Sequence, residues 1–193
     1  MGNYNRRRVP GGTYFFTVHL QNRNSDLLTT HIDALRNATR TTMRRYPFRI
    51  EAITVLPATI HTIWTLPTHD ANYANRWSML KSTFSRRLPD PDHRTRTQIT
   101  RGEKGIWQHR FWEHMIRDEA DFAHHKALVH SAPVAARLVT ASTEWPFSSV
   151  HRENNPEIPS VIPQFSSQQS VAVSGHAQGF WSLSCGPSTR RVT

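Results

Sequence analysis

The sequence predicts an α+β domain in which helices pack on one face of an antiparallel sheet. Some segments alternate apolar and polar residues, which is typical of half-buried strands, and others repeat apolar residues at helical spacing. These segments follow one another in the order βαββαβ. Two consecutive strands are joined by a tight turn, which makes them antiparallel neighbours.

The first half of the chain contains the clearest elements. Residues 13–20 alternate with aromatic and β-branched side chains and predict the first strand. Residues 26–45 predict a helix with an aspartate N-cap and an approximate apolar stripe. Residues 48–56 and 59–65 predict a hairpin of two strands.

The second half continues the same alternation. Residues 74–87 predict a second helix, whose aromatic and leucine side chains recur at helical spacing and are expected in the core. Residues 88–104 are polar, contain prolines and arginines, and predict a loop. Residues 106–111 predict a fourth strand, and a helix with an acidic start at Asp118 follows it.

The C-terminal segment, residues 152–193, differs in composition. Prolines interrupt a serine- and glutamine-rich run that has no apolar periodicity, which predicts a flexible tail. The preceding residues 1–151 are long enough to bury one proper core. We therefore predict one folded domain followed by a tail.

The charge balance predicts a polyanionic partner. The 193 residues include 24 lysines and arginines against 14 aspartates and glutamates, a net charge of +10. Arginine dominates the cations, and its guanidinium group suits phosphate recognition. A basic protein without a specific partner remains the alternative from charge alone.

The remaining composition excludes several classes of protein. The single cysteine, Cys185, excludes an intrachain disulfide and a cysteine-rich zinc site. There is no apolar run long enough to span a membrane, and the arginine-rich N-terminus does not resemble a secretory signal. We expect a cytoplasmic protein with no membrane partner.

The stretch 52–67, AITVLPATIHTIWTLP, contains the most informative candidate site. Because side chains alternate along a strand, Thr59 and His61 project from one face and Ile60 and Trp64 from the other. A His-hydrophobic-His triplet here would offer two imidazoles to one divalent metal ion. This chain offers Thr-Ile-His instead, one imidazole and one hydroxyl.

Together with other short motifs, this stretch resembles a known family, the REP-associated tyrosine transposases, which are relatives of the IS200-like single-tyrosine HUH nucleases. The resemblance covers about residues 4–152 and rests on short blocks in the right order. The blocks are GGTYFFTV (11–18), LLTT (27–30), VLP (55–57), HTIWTLP (61–67), RW (76–77), GIWQ (105–108), RFWEH (110–114), IRD (116–118) and EWPFSS (144–149). Each block is weak alone, but the ordered set is specific.

The resemblance implies a ferredoxin-like, RRM-like fold and a defined chemistry. It implies metal-dependent cleavage and rejoining of single-stranded DNA at palindromic hairpins, through a 5′-phosphotyrosine link. The metal would be Mg²⁺ or Mn²⁺, polarising the scissile phosphate. The implied partner is single-stranded or hairpin DNA in a bacterial cytoplasm, near the nucleoid, and both a monomer and a homodimer remain open.

This chain departs from the family pattern at the positions that carry the chemistry. Thr59 replaces the first histidine of the triplet, Leu128 stands where the family has its nucleophilic tyrosine, and Ala132 stands where it has an asparagine ligand. Only His61 remains, as a residual ligand. We therefore expect metal binding to be weak or absent and the strand-transfer reaction to be lost.

Two alternatives stay open. In the first alternative, the chain is an active nuclease with a displaced nucleophile, for which Tyr73 is the candidate. In the second, it is a general nucleic-acid-binding module. His124 and His125 could be recruited as metal ligands, although adjacent helix residues point about 100° apart and do not easily share an ion. Solvated or capping histidines are the simpler interpretation.

The predicted DNA contacts are basic residues at the N-terminus, on the second helix and beside the fourth strand. They are Arg6, Arg7, Arg8, Arg76, Lys81, Arg86, Arg87, Arg110 and Arg117. The N-terminal triplet is favoured because it is clustered. Phe111 and Trp112 are expected to anchor the last strand to the core, with base stacking by Trp112 as the alternative.

Overall fold

The computed structural model describes residues 8–90 and 94–153. The strands are β1 (Thr13–His19), β2 (Arg49–Leu56), β3 (Thr59–Thr65) and β4 (Trp112–Met115). The helices are α1 (Leu27–Thr30), α2 (Ile32–Arg45), α3 (Tyr73–Arg86), α4 (Arg96–Thr100), α5 (Glu119–Ala135) and α6 (Val150–Glu153), and Ser142–Glu144 form a 3-10 turn. Within the described ranges, no helix has the length and apolarity needed to cross a membrane.

The four strands form one antiparallel sheet in the order β2-β3-β1-β4. In the central strand β1, Phe16 pairs with Thr62 of β3 on one side and with Glu113 of β4 on the other. This strand order, combined with the βαββαβ sequence of elements, is that of a ferredoxin-like fold. The fold class predicted from the sequence is confirmed.

The main core lies between the sheet and helices α2 and α3. Trp64 of β3 stacks on Trp77 of α3, with ring centroids 4.2 Å apart and an interplanar angle of 16°. Leu80 and Phe84 continue the same face of α3 and are buried with them. The helical spacing of these residues therefore predicted the core face of α3 correctly.

Helix α5 packs on the opposite face of the sheet, which the expectation of helices on one face did not include. Phe122 and Val129 of α5 form a second, smaller core with Phe15 of β1 and Ile63 of β3. Since side chains alternate along each strand, Phe15 and Ile63 project away from the main core. We call this side of the sheet the α5 face.

Helix α5 begins at its predicted position. The Asp118 carboxylate, at the N-cap, accepts the Asp121 backbone N–H at 2.8 Å. Glu119 and Asp121 place negative charge in the first turn, where the helix dipole stabilises it. The acidic start of this segment was thus a correct signal for the helix N-terminus.

The segment after α5 covers the outer edge of β2. The Val55 backbone N–H donates to the Phe147 carbonyl at 2.8 Å, and the Ser149 N–H donates to the Ile53 carbonyl at 2.8 Å. The indole Nε1 of Trp145 donates to the Val55 carbonyl at 2.9 Å. These bonds satisfy backbone groups that an open sheet edge would expose.

The position of the fourth strand was predicted incorrectly. Residues 106–111 form no strand; Trp107 makes only an isolated bridge to Leu20. The strand begins at Trp112, because Phe111 turns into the main core against Trp77, 6.0 Å away between ring centroids. Aromatic composition alone did not locate the residues that pair with β1.

Two other elements differ from their predictions. The segment 88–104 was expected to be a loop but contains α4. Thr95 and Gln98 form a reciprocal capping box at the N-terminus of this helix. The predicted helix 26–45 is divided at His31, so that α1 is a separate turn. The capping box of α4 is a local signal that the apolar pattern does not register, whereas no side-chain capping bond marks the break at His31.

Most of the predicted tail lies outside the described residues. Of residues 152–193, the structure describes only 152 and 153, which end α6. The tail and the domain boundary at residue 151 stay predictions.

Candidate functional site

The candidate site lies on the α5 face of β1 and β3. In the antiparallel pair, Thr17 is directly opposite His61 and His19 is directly opposite Thr59. Opposite residues of a strand pair project from the same face. The prediction that Thr59 and His61 share the face opposite to Ile60 and Trp64 is confirmed, and His19 joins them there.

Two threonine–histidine hydrogen bonds hold the imidazoles in place. Thr17 Oγ1 lies 3.0 Å from His61 Nδ1, and Thr59 Oγ1 lies 2.9 Å from His19 Nδ1. Each bond joins β1 to β3 through side chains, in addition to the backbone ladder. The hydroxyl at position 59 therefore orients the ring of His19.

The surroundings of both histidines favour the neutral imidazole. Burial, followed by charge repulsion from His19 and Arg23, lowers the pKa of His61 to about 4. Burial also lowers the pKa of His19, with smaller effects of Arg23 and Lys81. A neutral imidazole keeps the lone pair that binds a metal ion or accepts a hydrogen bond.

Position 128, to which the resemblance assigns the nucleophile, holds an exposed leucine. Leu128 is 45 % exposed, and with His125 and Ala132 it lies along one edge of α5, because these residues are three and seven positions apart. His125 packs on Phe15, with 5.0 Å between ring centroids, and Phe15 stacks in turn on His61 at 6.1 Å. His125 is thus connected to His61 through the ring of Phe15, and this edge of α5 carries no tyrosine.

A second polar cluster joins β4 to the start of α5. His114 Nε2 lies 2.9 Å from Asp121 Oδ2, and His125 Nδ1 lies 2.9 Å from Asp121 Oδ1. The Arg117 backbone N–H and its Nε also donate to Oδ2, at 3.0 and 3.3 Å. We call these four residues the Asp121 clamp.

The clamp residues lie close enough together to hold a metal ion, but their hydrogen bonds favour a proton on His125 Nδ1 over a metal ion. Ligand atoms of His114, Asp121 and His125 all lie within 4.8 Å of one another. However, His125 Nδ1 faces two acceptors, the Asp121 carboxylate and the Asp121 carbonyl oxygen, 2.9 Å away. A nitrogen between two acceptors carries a proton, so it has no lone pair for a metal. The expectation that His125 is a solvated or capping residue is wrong, since the ring is buried in this clamp.

Two of the nine predicted DNA contacts, one buried and one partly buried, already bind other groups of the protein. Arg76 is 1 % exposed; its guanidinium pairs with Asp70 at 2.8 Å and donates to the Pro47 carbonyl. Lys81 donates to the Gln108 carbonyl at 2.8 Å, and burial lowers its pKa to about 8. The prediction is wrong for Arg76, because no phosphate can reach it, and Lys81 is largely committed to its carbonyl.

The other predicted contacts are exposed or lie outside the described residues. Arg6 and Arg7 fall outside the described range. The exposed ones are Arg8, Arg86, Arg87, Arg110 and Arg117. They remain candidates, and no contact with DNA tests them.

Trp112 does not anchor β4 to a core. It is 51 % exposed on the α5 face; its ring centroid lies 5.5 Å from that of Phe15 in an edge-to-face arrangement, and its plane is nearly parallel to that of His114. Its neighbour Phe111 packs against Phe16 and Tyr73 in the main core, as expected. The exposed indole is free on one side to stack on another flat group.

The family's magnesium site does not fit the residues present. Of the three positions that the resemblance assigns to metal ligands, Thr59 and Ala132 supply no imidazole or amide, and the Thr59 hydroxyl is bonded to His19. Mg²⁺ prefers an octahedron of oxygen ligands. The nitrogen atoms of His61 and His19 are a poor match for that ion.

Sequence reasoning missed His19 and the Asp121 clamp. The period of two along β1 placed His19 on the same face as Thr17, but its position beside Thr59 depends on the order of strands in the sheet. For the clamp, Asp121 and His125 are four residues apart on a helix, which was a usable signal. The contact of both with His114 comes only from the packing of α5 on β4.

The chain is similar to bacterial transposases over most of its length. No family model matches it. A Haemophilus influenzae protein named "Putative REP-associated tyrosine transposase" is 43 % identical over 159 residues, which cover 82 % of this chain and 90 % of the relative. The Escherichia coli K12 "REP-associated tyrosine transposase" is 42 % identical over 153 residues, 79 % of this chain and 85 % of the relative.

A solved structure has the same fold. It is described as "Structure of the REP associates tyrosine transposase bound to a REP hairpin", has a TM-score of 0.70 and 36 % sequence identity, and covers 89 % of this chain and 100 % of its own. Each of these similarities covers at least 79 % of this chain.

Proposed function

Since this chain belongs to the REP-associated tyrosine transposase family, we propose that it binds hairpin-forming single-stranded DNA without forming a phosphotyrosine link to it. The homologous structure is described as bound to a REP hairpin, and the identity extends over most of both chains. We place the protein in the bacterial cytoplasm, where chromosomal DNA lies.

One observation carries the loss of the covalent step. Leu128 lies on α5 at the position to which the resemblance assigns the family's tyrosine, and a leucine side chain has no atom that can attack phosphorus. Thr59 and Ala132 remove two further functional groups of the same site. Because such groups act as a unit, loss of the nucleophile alone is expected to abolish the reaction.

A displaced tyrosine is not supported by the fold. Tyr14 and Tyr73 are both 0 % exposed and pack together in the main core, 4.9 Å apart between ring centroids. That core lies on the side of the sheet away from His61. Tyr46 lies at the end of α2, and Tyr4 lies outside the described residues.

Binding itself is supported by charge and by an exposed aromatic ring. The five exposed arginines named above give the surface phosphate-binding groups, and the net charge of +10 adds long-range attraction. Trp112 offers a face on which an unpaired base can stack. Phosphate contacts position the DNA, whereas base contacts and hairpin shape would supply selectivity.

The test uses a labelled single-stranded hairpin from the flank of the gene, with Mg²⁺ and with Mn²⁺. The parent chain is compared with the triple variant Thr59→His, Leu128→Tyr, Ala132→Asn. Native gels report binding, and denaturing gels report a covalent DNA–protein product. We expect both proteins to shift the hairpin and only the triple variant to give the product.

Two other outcomes would contradict the proposal. A covalent product with the parent chain would show that another residue cuts DNA. Equal affinity for the hairpin, a random single strand and RNA of the same length at one salt concentration would instead favour a general nucleic-acid-binding module.

A further inference from the structure

We propose that His19 supplies the imidazole missing at position 59, and that His19 and His61 together bind a divalent first-row transition-metal ion in preference to Mg²⁺. The family pattern places both imidazoles on β3. In this chain one of them is on the neighbouring strand β1, on the same face of the sheet. The metal site is independent of the proposed DNA binding.

The cross-strand pair spans nearly the same gap as the family's pair. Two residues that are two positions apart on one strand, such as 59 and 61, have Cα atoms about 6.7 Å apart. His19 is opposite Thr59, so it is the diagonal neighbour of His61. Diagonal neighbours in an antiparallel pair lie about 7–8 Å apart, and their Cβ atoms somewhat less. Two imidazoles at that separation can reach one ion with metal–nitrogen bonds of about 2.1 Å.

The threonines orient both rings for ligation. Nδ1 of each histidine is occupied by a threonine hydroxyl, at 3.0 Å for His61 and 2.9 Å for His19. Among the described residues, Nε2 of neither ring has a hydrogen-bond partner. A hydroxyl that accepts from Nδ1–H fixes the tautomer whose Nε2 lone pair is available, which is the usual arrangement around histidine ligands.

The ligand chemistry selects the class of ion. Two imidazoles and water suit Mn²⁺, Co²⁺, Ni²⁺ or Zn²⁺, whose affinity for nitrogen ligands exceeds that of Mg²⁺. Arg23 and Lys81 lie close enough to affect His19 electrostatically, and their positive charge weakens the binding of any cation. We therefore expect weaker binding than at a site with a carboxylate ligand.

The test measures metal binding to the full chain without DNA. The protein is stripped with EDTA, and Co²⁺ binding is followed by calorimetry in the presence and absence of excess Mg²⁺. We compare the parent with His19→Asn and His61→Asn, and with His114→Asn as the control for the Asp121 clamp. We expect His19→Asn and His61→Asn each to lower the affinity at least about tenfold, and His114→Asn and excess Mg²⁺ to leave it unchanged.

A measurement on the unmodified protein covers the case in which a variant folds poorly. Bound Co²⁺ should shift or broaden the ring-proton NMR signals of His19 and His61 before those of His114 and His125. Thr59→His in the His19→Asn background should restore the lost affinity. No binding by the parent, full displacement by Mg²⁺, or loss only in His114→Asn would each overturn the proposal.

Discussion

Replacing Asp121 by asparagine removes the charge of the Asp121 clamp while keeping its size. The carboxylate is buried and accepts hydrogen bonds from His114 of β4 and from Arg117, and it lies 2.9 Å from His125 Nδ1. The contact with His114 joins β4 to α5. Burial alone would raise the pKa of Asp121, but the bonds from His114 and Arg117 outweigh burial and lower it from 3.8 to about 2. The folded protein therefore stabilises the ionised form.

The magnitude follows from that pKa shift. The lowering of the pKa from 3.8 to about 2 corresponds to about 2–3 kcal/mol of folding free energy. The asparagine amide also turns an N–H₂ group towards donors in the clamp, which costs about 1 kcal/mol more. We expect Asp121→Asn to lower the free energy of unfolding by about 3–4 kcal/mol at pH 7.

The pH dependence separates the two contributions. The pKa of Asp121 is lower in the folded state, so its stabilisation is complete above the unfolded pKa near 3.8 and is lost as the pH falls through about 2. The difference between parent and variant should thus be constant from pH 7 to pH 5 and shrink by about 2 kcal/mol towards pH 2.

Urea unfolding followed by circular dichroism measures both quantities. The control is Asp33→Asn, an exposed aspartate that pairs with Arg36 on the surface of α2 and should change stability by less than about 0.5 kcal/mol. A loss below about 1 kcal/mol at pH 7, or a difference that stays the same down to pH 2, would refute this account of the clamp.

Three further predictions follow from the described contacts. Arg76→Ala should destabilise the fold by about 3 kcal/mol, because it leaves the Pro47 carbonyl and Asp70 without their partner. Arg87→Ala, in contrast, should leave stability unchanged and reduce the salt dependence of hairpin binding. The opposite pattern would show that Arg76 contacts DNA. In EDTA, the free energy of unfolding of the parent should rise between about pH 4 and 6.5, because burial lowers the pKa of His61 to about 4 in the folded state. His61→Asn should flatten this rise. A variant with the same pH dependence of stability as the parent would mean that the ring is not desolvated. Trp112→Ala should change the free energy of unfolding by less than about 0.5 kcal/mol, because the indole is half exposed. It should weaken hairpin binding by about 1–3 kcal/mol in a fluorescence titration. Unaltered affinity would exclude base stacking by Trp112.

Local periodicity explains which parts of the fold could be predicted. Thr59 and His61 alternate with Ile60 along a strand, so their common face follows from the geometry of the backbone alone. Trp77 and Phe84 recur at helical spacing, so their burial followed equally directly. Such predictions need no knowledge of the neighbouring elements.

Predictions failed where a residue's partner comes from a distant element. Arg76 has the composition of a DNA contact, but the carbonyl of Pro47 and the carboxylate of Asp70 converge on it from outside α3. Trp112 has the composition of a core residue, but β4 is an edge strand and α5 does not extend over that indole. Side-chain type does not reveal which of these environments surrounds a residue.

The sequence by itself determined the fold class and the family, and it predicts three positions at which the family's chemistry is replaced, because alternation, helical spacing and ordered motifs are all local properties of the chain. Only the tertiary structure decided that His19 stands beside Thr59 and His61, and that Asp121 ties α5 to β4. Both arrangements join residues at least seven positions apart, through a strand order and a helix packing that no local pattern specifies.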